Sequence, residues 1–275
     1  YGVANSYGKL SRDSVKKIIG LANSLDITCL DTANAYGESQ KVLGEIGIND
    51  WRVVSKISSI PQCCEDRKSF IRTQVNLILS SLNLNDFDTL LVHNESDLTG
   101  ELGYEVYEAL DHAKSSGQVA KIGVSIYDPS DLDSITARFK LDVVQAPINV
   151  FDNRLQDSGW LDRLHSLGIE IHARSVFLQG VLLSKVAQSN EFFKPWNSTF
   201  EKWNNFVGLS GTTALMNCIK HINSYDKVSY AVVGVDSAQN LSEVFEAFKD
   251  QPQRIAENDF GVDSQLLNPA SWRIL

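Results

Sequence analysis

Cysteine and methionine are scarce in this sequence, four and one among 275 residues. None of the cysteines stands at metal-ligand spacing. Cys29 and Cys218 sit in apolar surroundings, and Cys63 and Cys64 are adjacent in a loop-like stretch. That argues against a disulfide scaffold or a metal module, so a reduced, cytoplasmic chain is the expectation, with no metal. Also lacking is any run of Lys or Arg. The 25 basic residues are scattered against 34 acidic ones, for a net charge of -9, and a groove for nucleic acid or an anionic membrane surface needs the opposite. No apolar stretch reaches the roughly 18 to 20 residues of a membrane helix, and no basic start leads into an apolar core, so neither a membrane partner nor a signal peptide is expected. The sequence opens on Tyr1 rather than Met, which leaves a processed start, a trimmed start and a start inside a domain all open.

What the sequence does have is a rhythm. With 43% hydrophobic residues it can bury a large core. Short apolar runs alternate with segments of helical period, the pattern of repeated βα units around a parallel sheet. Seven strands are predicted, at Ile27–Ala33, Arg52–Ile57, Asp88–His93, Ala120–Ile126, Val143–Asn149, Glu170–Phe177 and Tyr230–Val235. Helices are predicted at Ser11–Ser24, with Ser11 as N-cap, and near Ser39–Glu45, Arg67–Leu82, Glu101–Ser116, Pro129–Arg138, Ser158–Leu167, Thr212–Asn223 and Ala238–Phe248. No linker rich in Pro, Gly or Ser divides them, so residues 1–275 read as one domain, an α/β chain of the (β/α)8 TIM-barrel type. The stretch Lys185–Gly211, with Trp196 and Trp203, is too long for an ordinary connection and reads as a substrate-site loop or as aromatic packing on the barrel wall. The first helix has no strand before it. A barrel closes with eight strands, so the expectation is that the first barrel strand is missing from this chain.

Polar side chains gather where the apolar runs end: Asp31, Lys56, His93, Ser125, Gln145 and Ser175. In α/β barrels that rim carries the active site. Asp31 lies in Leu-Asp-Thr-Ala-Asn-Ala-Tyr-Gly, which puts Tyr36 on the loop after its strand, and Lys56 ends the neighbouring strand. A phenol with a pKa of about 10 is a poor acid at neutral pH, but a nearby ammonium favours the phenolate, and a carboxylate can hold that ammonium in place. Tyr36 is then a candidate general acid and His93 a donor that orients a carbonyl oxygen. Taken singly, such residues read as a loop cap, a surface lysine and a core histidine. Delivered to one rim by three successive strands, they read as a site.

On these residues the sequence resembles the aldo-keto reductases. Leu30-Asp31-Thr32-Ala33-Asn34-Ala35-Tyr36-Gly37 is similar to that family's segment around its catalytic Asp and Tyr, and Val54-Ser55-Lys56 and Leu91-Val92-His93 to those around its Lys and His. The resemblance covers essentially the whole chain. It implies a barrel that binds NADP or NAD extended across the strand ends, without a Rossmann domain, and passes hydride to an aldehyde or ketone.

The same resemblance implies cofactor contacts. Gly123-Val124-Ser125-Ile126-Tyr127 is similar to the family's Gly-Val-Ser-Asn-Phe, so Ser125 is expected on the nicotinamide carboxamide, with Gln145, while Ile126 replaces an Asn. Ala173-Arg174-Ser175-Val176-Phe177-Leu178-Gln179-Gly180 stands where the family has Ala-Tyr-Ser-Pro-Leu-Gly-x-Gly, giving Arg174, Ser175, Phe177, Gln179 and Gly180 as cofactor contacts. Arg174 takes the place of a Tyr that stacks on nicotinamide; it is expected either to stack as well or to face an anionic substrate. Gly234, Asp236, Ser237, Asn240 and Glu243 correspond to the adenosine end. The family's NADP-specific members often carry Lys or Arg at the positions of Gly234 and Asn240, so this segment leaves NADH open beside NADPH. The expected partner is a small carbonyl compound, sugar-like by resemblance to bacterial members with the same Arg-Ser-Val variant. Two other functions remain: a nucleotide-binding regulatory barrel, and a lyase using Lys56 as a Schiff-base amine.

Overall fold

The structure is a computed structural model in which residues 8–255 and 260–272 are described. The strands are β1 (Cys29–Asp31), β2 (Arg52–Ile57), β3 (Phe87–Val92), β4 (Val119–Ser125), β5 (Val143–Pro147), β6 (Glu170–Arg174) and β7 (Tyr230–Ala231). Among the described residues they make a seven-stranded sheet whose spatial order is the chain order. β1 to β5 pair in parallel, with Asp31 opposite Val54, Lys56 opposite Leu91 and Ser125 opposite Gln145. Successive βα units generate that order, and it is the strand order of an α/β barrel. The absent opening strand expected before Ser11 concerns residues 1–9, of which 1–7 lie outside the described residues.

The helices are α1 (Arg12–Ser24), α2 (Ser39–Ile46), α3 (Arg67–Leu82), α4 (Ser96–Thr99), α5 (Gly103–Ser115), α6 (Asp131–Arg138), α7 (Arg154–Asp157), α8 (Trp160–Ser166), α9 (Lys185–Gln188), α10 (Asn197–Ser210), α11 (Ala214–Asn223), α12 (Ala238–Phe248) and α13 (Ser264–Leu267). Ser11 caps α1 as expected, its Oγ accepting the Ser14 amide at 3.1 Å. The chain gathers into two compact units: Ala22–Ala146 with Ser158–His172, and Tyr1–Leu21 with Pro147–Asp157 and Ala173–Leu275.

In the unit built on Ala22–Ala146, the pleat of β2 sends Val54 and Lys56 to one face and Val53, Ser55 and Ile57 to the other. On the first face Val54 joins Leu91 and Val143 in a fully buried cluster, with Cys29 packed against it. Lys56 lies one pleat step further along, so this apolar cluster is the floor beneath it. On the second face Ser55 Oγ accepts Gln40 Nε2 at 2.8 Å, which docks α2 on the sheet. α2 in turn lies close on α3. A Cβ on Gly44 would sit 2.3 Å from the Ser81 carbonyl oxygen, so only glycine permits that approach. α3 buries Ile71, Val75, Ile78 and Leu82 along one stripe and starts where Asp66 accepts the Ser69 amide at 2.8 Å.

In the other unit the stretch Lys185–Gly211 is helical. α9, a 3-10 turn over Glu191–Trp196 and α10 fill it. Trp203 is fully buried, donates from Nε1 to the Leu182 carbonyl at 2.9 Å and packs on Phe151 and Phe206. Trp196 is buried too, and its Nε1 donates to Asp263 at 3.1 Å. Of the two readings of this stretch, aromatic packing describes both tryptophans. Several strands are shorter than their apolar runs; β6, for example, ends at Arg174, although Val176, Phe177 and Leu178 are buried beyond it. Apolar character marks burial, and burial continues past the last ladder bond.

Candidate active site

Asp31 ends β1, but pairing with β2 runs on: the Thr32 amide donates to Val54 O at 2.8 Å and the Asn34 amide to Lys56 O at 3.1 Å. This carries the backbone straight past the end of Lys56 before it turns. The turn is made by the Tyr36 amide on Ala33 O at 3.1 Å and by Gly37, whose φ of +58° suits a residue without a Cβ. Tyr36 is thereby returned over the strand ends, half-buried.

Lys56 is 1% exposed. Its Nζ donates to Asp31 Oδ1 at 2.5 Å and to the Thr32 carbonyl at 3.2 Å, and it lies 5.4 Å from the centre of the Tyr36 ring. The other carboxylate oxygen, Asp31 Oδ2, accepts Gln145 Nε2 at 2.8 Å. His93, on the loop after β3, meets the Tyr36 ring edge-on, with centroids 6.1 Å apart at 83°. The structure thus brings Asp31, Tyr36, Lys56 and His93 together as the sequence predicts, and ties Gln145, expected on the same rim as a cofactor contact, to Asp31. An ion pair so buried loses much of its hydration, and it persists because both partners find further hydrogen bonds. The result is a fixed cation beside a phenol.

Ser125 ends β4, 2% exposed and in register with Gln145, whose carbonyl accepts the Ile126 amide at 2.9 Å. Ile126 is wholly buried, a core side chain where the family pattern has an amide. The sequence reading did not single out Gln74 or His172. Gln74 Oε1 accepts Asn34 Nδ2 at 2.6 Å and the Ser58 amide at 3.5 Å, joining the loops after β1 and β2. His172 lies within β6, 2% exposed and 3.5 Å from Glu170. Burial lowers its pKa from the ordinary 6.5, with Glu170 opposing. The signal for it was present, since Glu170, His172 and Arg174 alternate with apolar residues at the period of a strand face.

The remaining predicted residues lie in the other unit. Ser175, Leu178, Gln179 and Gly180 have φ of 58°, 45°, 56° and 85°, left-handed values that are costly for the three that carry a side chain. Buried Val176 and Leu178 anchor it, and Asn149 Nδ2 holds the Ser175 carbonyl at 3.1 Å. Arg174 Nη1 donates to Ser175 Oγ at 3.2 Å. Within the loop the Leu178 amide donates to Ser175 O and the Gly180 amide to Phe177 O, whereas those of Val176, Phe177 and Gln179 donate to no group among the described residues. Backbone N–H groups exposed by such a bend suit a phosphate. Phe177 itself is buried, so what it offers is its amide. Further on, Ser237 caps α12 by accepting the Asn240 amide at 3.0 Å, Glu243 accepts Gln239 Nε2 at 3.0 Å, Asp236 is half-buried and Gly234 is open to solvent. Neither Gly234 nor Asn240 provides a basic side chain. No described helix is long and apolar enough to cross a membrane. Nor does any cluster of His, Cys, Asp or Glu among the described residues have the makings of a metal site.

A parallel βα chain with a lysine, a carboxylate, a tyrosine and a histidine at its strand ends is the layout of a nicotinamide-dependent oxidoreductase. The chain belongs to the aldo/keto reductase family, whose sequence pattern matches residues 1–258. It is therefore an NAD(P)-dependent oxidoreductase of a family that acts on small carbonyl compounds. No curated protein sequence matches it. Among solved structures it is similar to the holo form of an aldo-keto reductase from Bacillus halodurans, with a TM-score of 0.75 and 19% identity over 95% of this chain and 89% of that one. It is also similar to a glycerol dehydrogenase from Gluconobacter oxydans, with a TM-score of 0.69 and 18% identity over 89% and 83% of the two chains.

Proposed function

We propose that this protein reduces a small, hydroxylated aldehyde or ketone to the alcohol, with residues 1–275 acting as one domain and Tyr36 as the proton donor. The observation that carries the reading is the Lys56–Asp31 pair, buried and set 5.4 Å from the Tyr36 ring centre. The phenol gives its proton to the carbonyl oxygen, and the adjacent ammonium stabilises the phenolate left behind. Asp31 keeps the ammonium in place, with Gln145 and the Thr32 carbonyl fixing the pair. His93 donates a hydrogen bond to the same oxygen and sets its orientation.

NADH or NADPH, when bound, supplies the hydride. The amides of Val176, Phe177 and Gln179, the turn at Gly180 and the start of α12 at Ser237 to Asn240 are assigned to its phosphates. Ser125 and Arg174 are assigned to the nicotinamide, and Gly234, Asp236 and Glu243 to the adenosine end. Gln145 is assigned to the site through its bond to Asp31. The absence of a basic side chain at Gly234 and Asn240 supports use of NADH beside NADPH. A hydroxylated substrate is supported by one similar structure being a glycerol dehydrogenase by name. A Schiff-base role for Lys56 fits less well, because its ammonium is committed to Asp31 and the Thr32 carbonyl, an arrangement that suits a fixed cation.

The test is Tyr36→Phe. Turnover of DL-glyceraldehyde with either nucleotide should fall by about 100-fold or more, while the affinity for the nucleotide, read by its fluorescence, stays within about twofold. A lysine imine would survive the change and be trapped by borohydride. A regulatory barrel would bind nucleotide yet oxidise none across a panel of carbonyls. If neither nucleotide binds, the assignment is wrong.

A further inference from the structure

The loops that carry the candidate catalytic groups are tied together by side chains that the chemistry does not use. Glu95 follows His93 on the loop after β3, and Asp97 lies just beyond it in α4. Asp97 Oδ2 reaches back to accept the Ile60 amide, at 3.3 Å, from the loop after β2, which is the strand of Lys56. Glu95 Oε1 reaches forward to accept the Tyr127 amide, also at 3.3 Å, from the loop after β4, the strand of Ser125. One short segment therefore grips both of its neighbours, each through an oxygen on a backbone N–H.

That segment is itself held at the far end. Arg138, at the end of α6, donates to the carbonyls of Leu98, Thr99 and Gly100 at 3.2, 3.1 and 3.3 Å, at and just past the end of α4. Leu98 is fully buried, and a Cβ on Gly103 would lie 2.0 Å from its carbonyl oxygen, so α5 starts hard against α4. With its end held by these contacts, the segment links Glu95 and Asp97 to His93, two and four residues away in the chain. Gln74 makes the equivalent tie between the loops after β1 and β2. The rim is thus spanned from Asn34 to Tyr127 by three side-chain oxygens acting on successive loops.

Asp97 is half-buried, and burial raises its pKa although the Ile60 amide and Arg67 act the other way. A carboxylate kept in such a place at a cost in hydration has its compensation in the bond it makes. Surface loops on an α/β sheet are ordinarily free to vary one by one. These are not.

We propose that Glu95 and Asp97 are positioning residues for the reduction: they hold His93 in register with Tyr36 and Lys56 by fixing the loops on either side of it. This rests on the assignment of His93 to the carbonyl oxygen, and both act through His93 without touching substrate. Misplacing a reacting group by about 1 Å can cost about 100-fold in rate. Glu95→Ala and Asp97→Ala should therefore lower kcat for DL-glyceraldehyde by about ten- to a hundredfold, with the affinity for NADH or NADPH changed less than about twofold. Glu95→Gln and Asp97→Asn retain an accepting oxygen and should restore most of the rate.

The second reading needs no turnover. His93 faces the edge of the Tyr36 ring, so its imidazole proton resonances, assigned with His93→Gln, report the spacing of the two rings. They should move in the alanine variants and return in the amide variants. If an alanine variant does not fold, Glu95→Met or Asp97→Leu, which fill the space and accept nothing, takes its place with the same expected readings. Alanine variants that keep both the wild-type kcat and the wild-type His93 resonances overturn the proposal. If the unaltered protein turns over no carbonyl, the reduction itself is refuted, and the His93 resonances alone then decide whether the braces position that ring.

Discussion

Lys56 meets the Asp31 carboxylate, the Thr32 carbonyl and the Tyr36 ring at once, and its chemistry separates stability from catalysis. Removing one partner of a buried ion pair leaves the other charge without compensation, typically at about 3 kcal/mol or more. Lys56→Met should therefore abolish turnover and lower the stability of the protein by about that amount. Asp31→Asn added to it should recover much of the stability and none of the activity. Urea unfolding of the two single variants and the double one measures this; equal losses summed in the double variant would show that the two side chains do not interact. At this scale the sequence was informative about side chains and silent on the main chain. Asp31, Tyr36, Lys56 and His93 could be named because each stands at or just past the end of an apolar run. The Thr32 carbonyl could not, since a main-chain oxygen leaves no mark in the sequence, and Gln145 was named on the same rim as a cofactor contact, without its bond to Asp31, because it comes from a strand far along the chain. Glu95 and Asp97 were not singled out, because what they bind are main-chain amides of adjacent loops.

Among the elements, α2 and α3 show most directly how a single atom sets a packing distance. Gly44 lies against the Ser81 carbonyl, where a methyl would fall 2.3 Å from oxygen, and backbone cannot swing aside as a side chain can. Gly44→Ala should force α2 off α3 and cost about 1 to 3 kcal/mol, read as a lower denaturation midpoint with an unchanged slope; a midpoint equal to the unaltered protein's would mean that the helices relax freely. Because α2 also binds Ser55 through Gln40, nucleotide binding by this variant is a useful control on damage to β2. Elements whose ends are chemically marked were the legible ones. α3, bounded by an Asp66 cap and a left-handed Asn83, and α12, opened by Ser237, have the bounds predicted for them. The strands were overdrawn because buried apolar residues continue after the ladder stops. The stretch Lys185–Gly211 was read as a loop because its aromatic residues mask the helical period of α10, and what orders it is the packing of Trp203 and its neighbours.

For the protein as a whole, the clearest dependence on conditions comes from His221. It is buried, its Nδ1 accepts the Ile255 amide at 3.3 Å and its Nε2 faces Asn153 Oδ1 at 3.1 Å, which also accepts the Tyr225 hydroxyl at 2.7 Å. Burial, and next the charge of Arg254, push its pKa from 6.5 down to about 4. An unfolded chain takes up this proton as pH falls through 6.5, whereas the folded one resists until about 4. The contribution is therefore complete above that upper value and is lost progressively between the two, amounting to about 3 kcal/mol. His221→Gln should flatten the rise of unfolding free energy between pH 4.5 and 7.5, leaving the smaller share of His172, whose pKa burial also lowers. An unchanged slope would place the acid sensitivity elsewhere. The bracing of the rim has a different kind of consequence, one for inheritance and for engineering. The loops after β2 and β4 are gripped by oxygens that the segment after β3 supplies, so either loop transplanted alone arrives without its fastening. New substrate preferences on this scaffold would be reached by exchanging adjacent loops as pairs, and single-loop grafts would lose rate before they gained a new substrate.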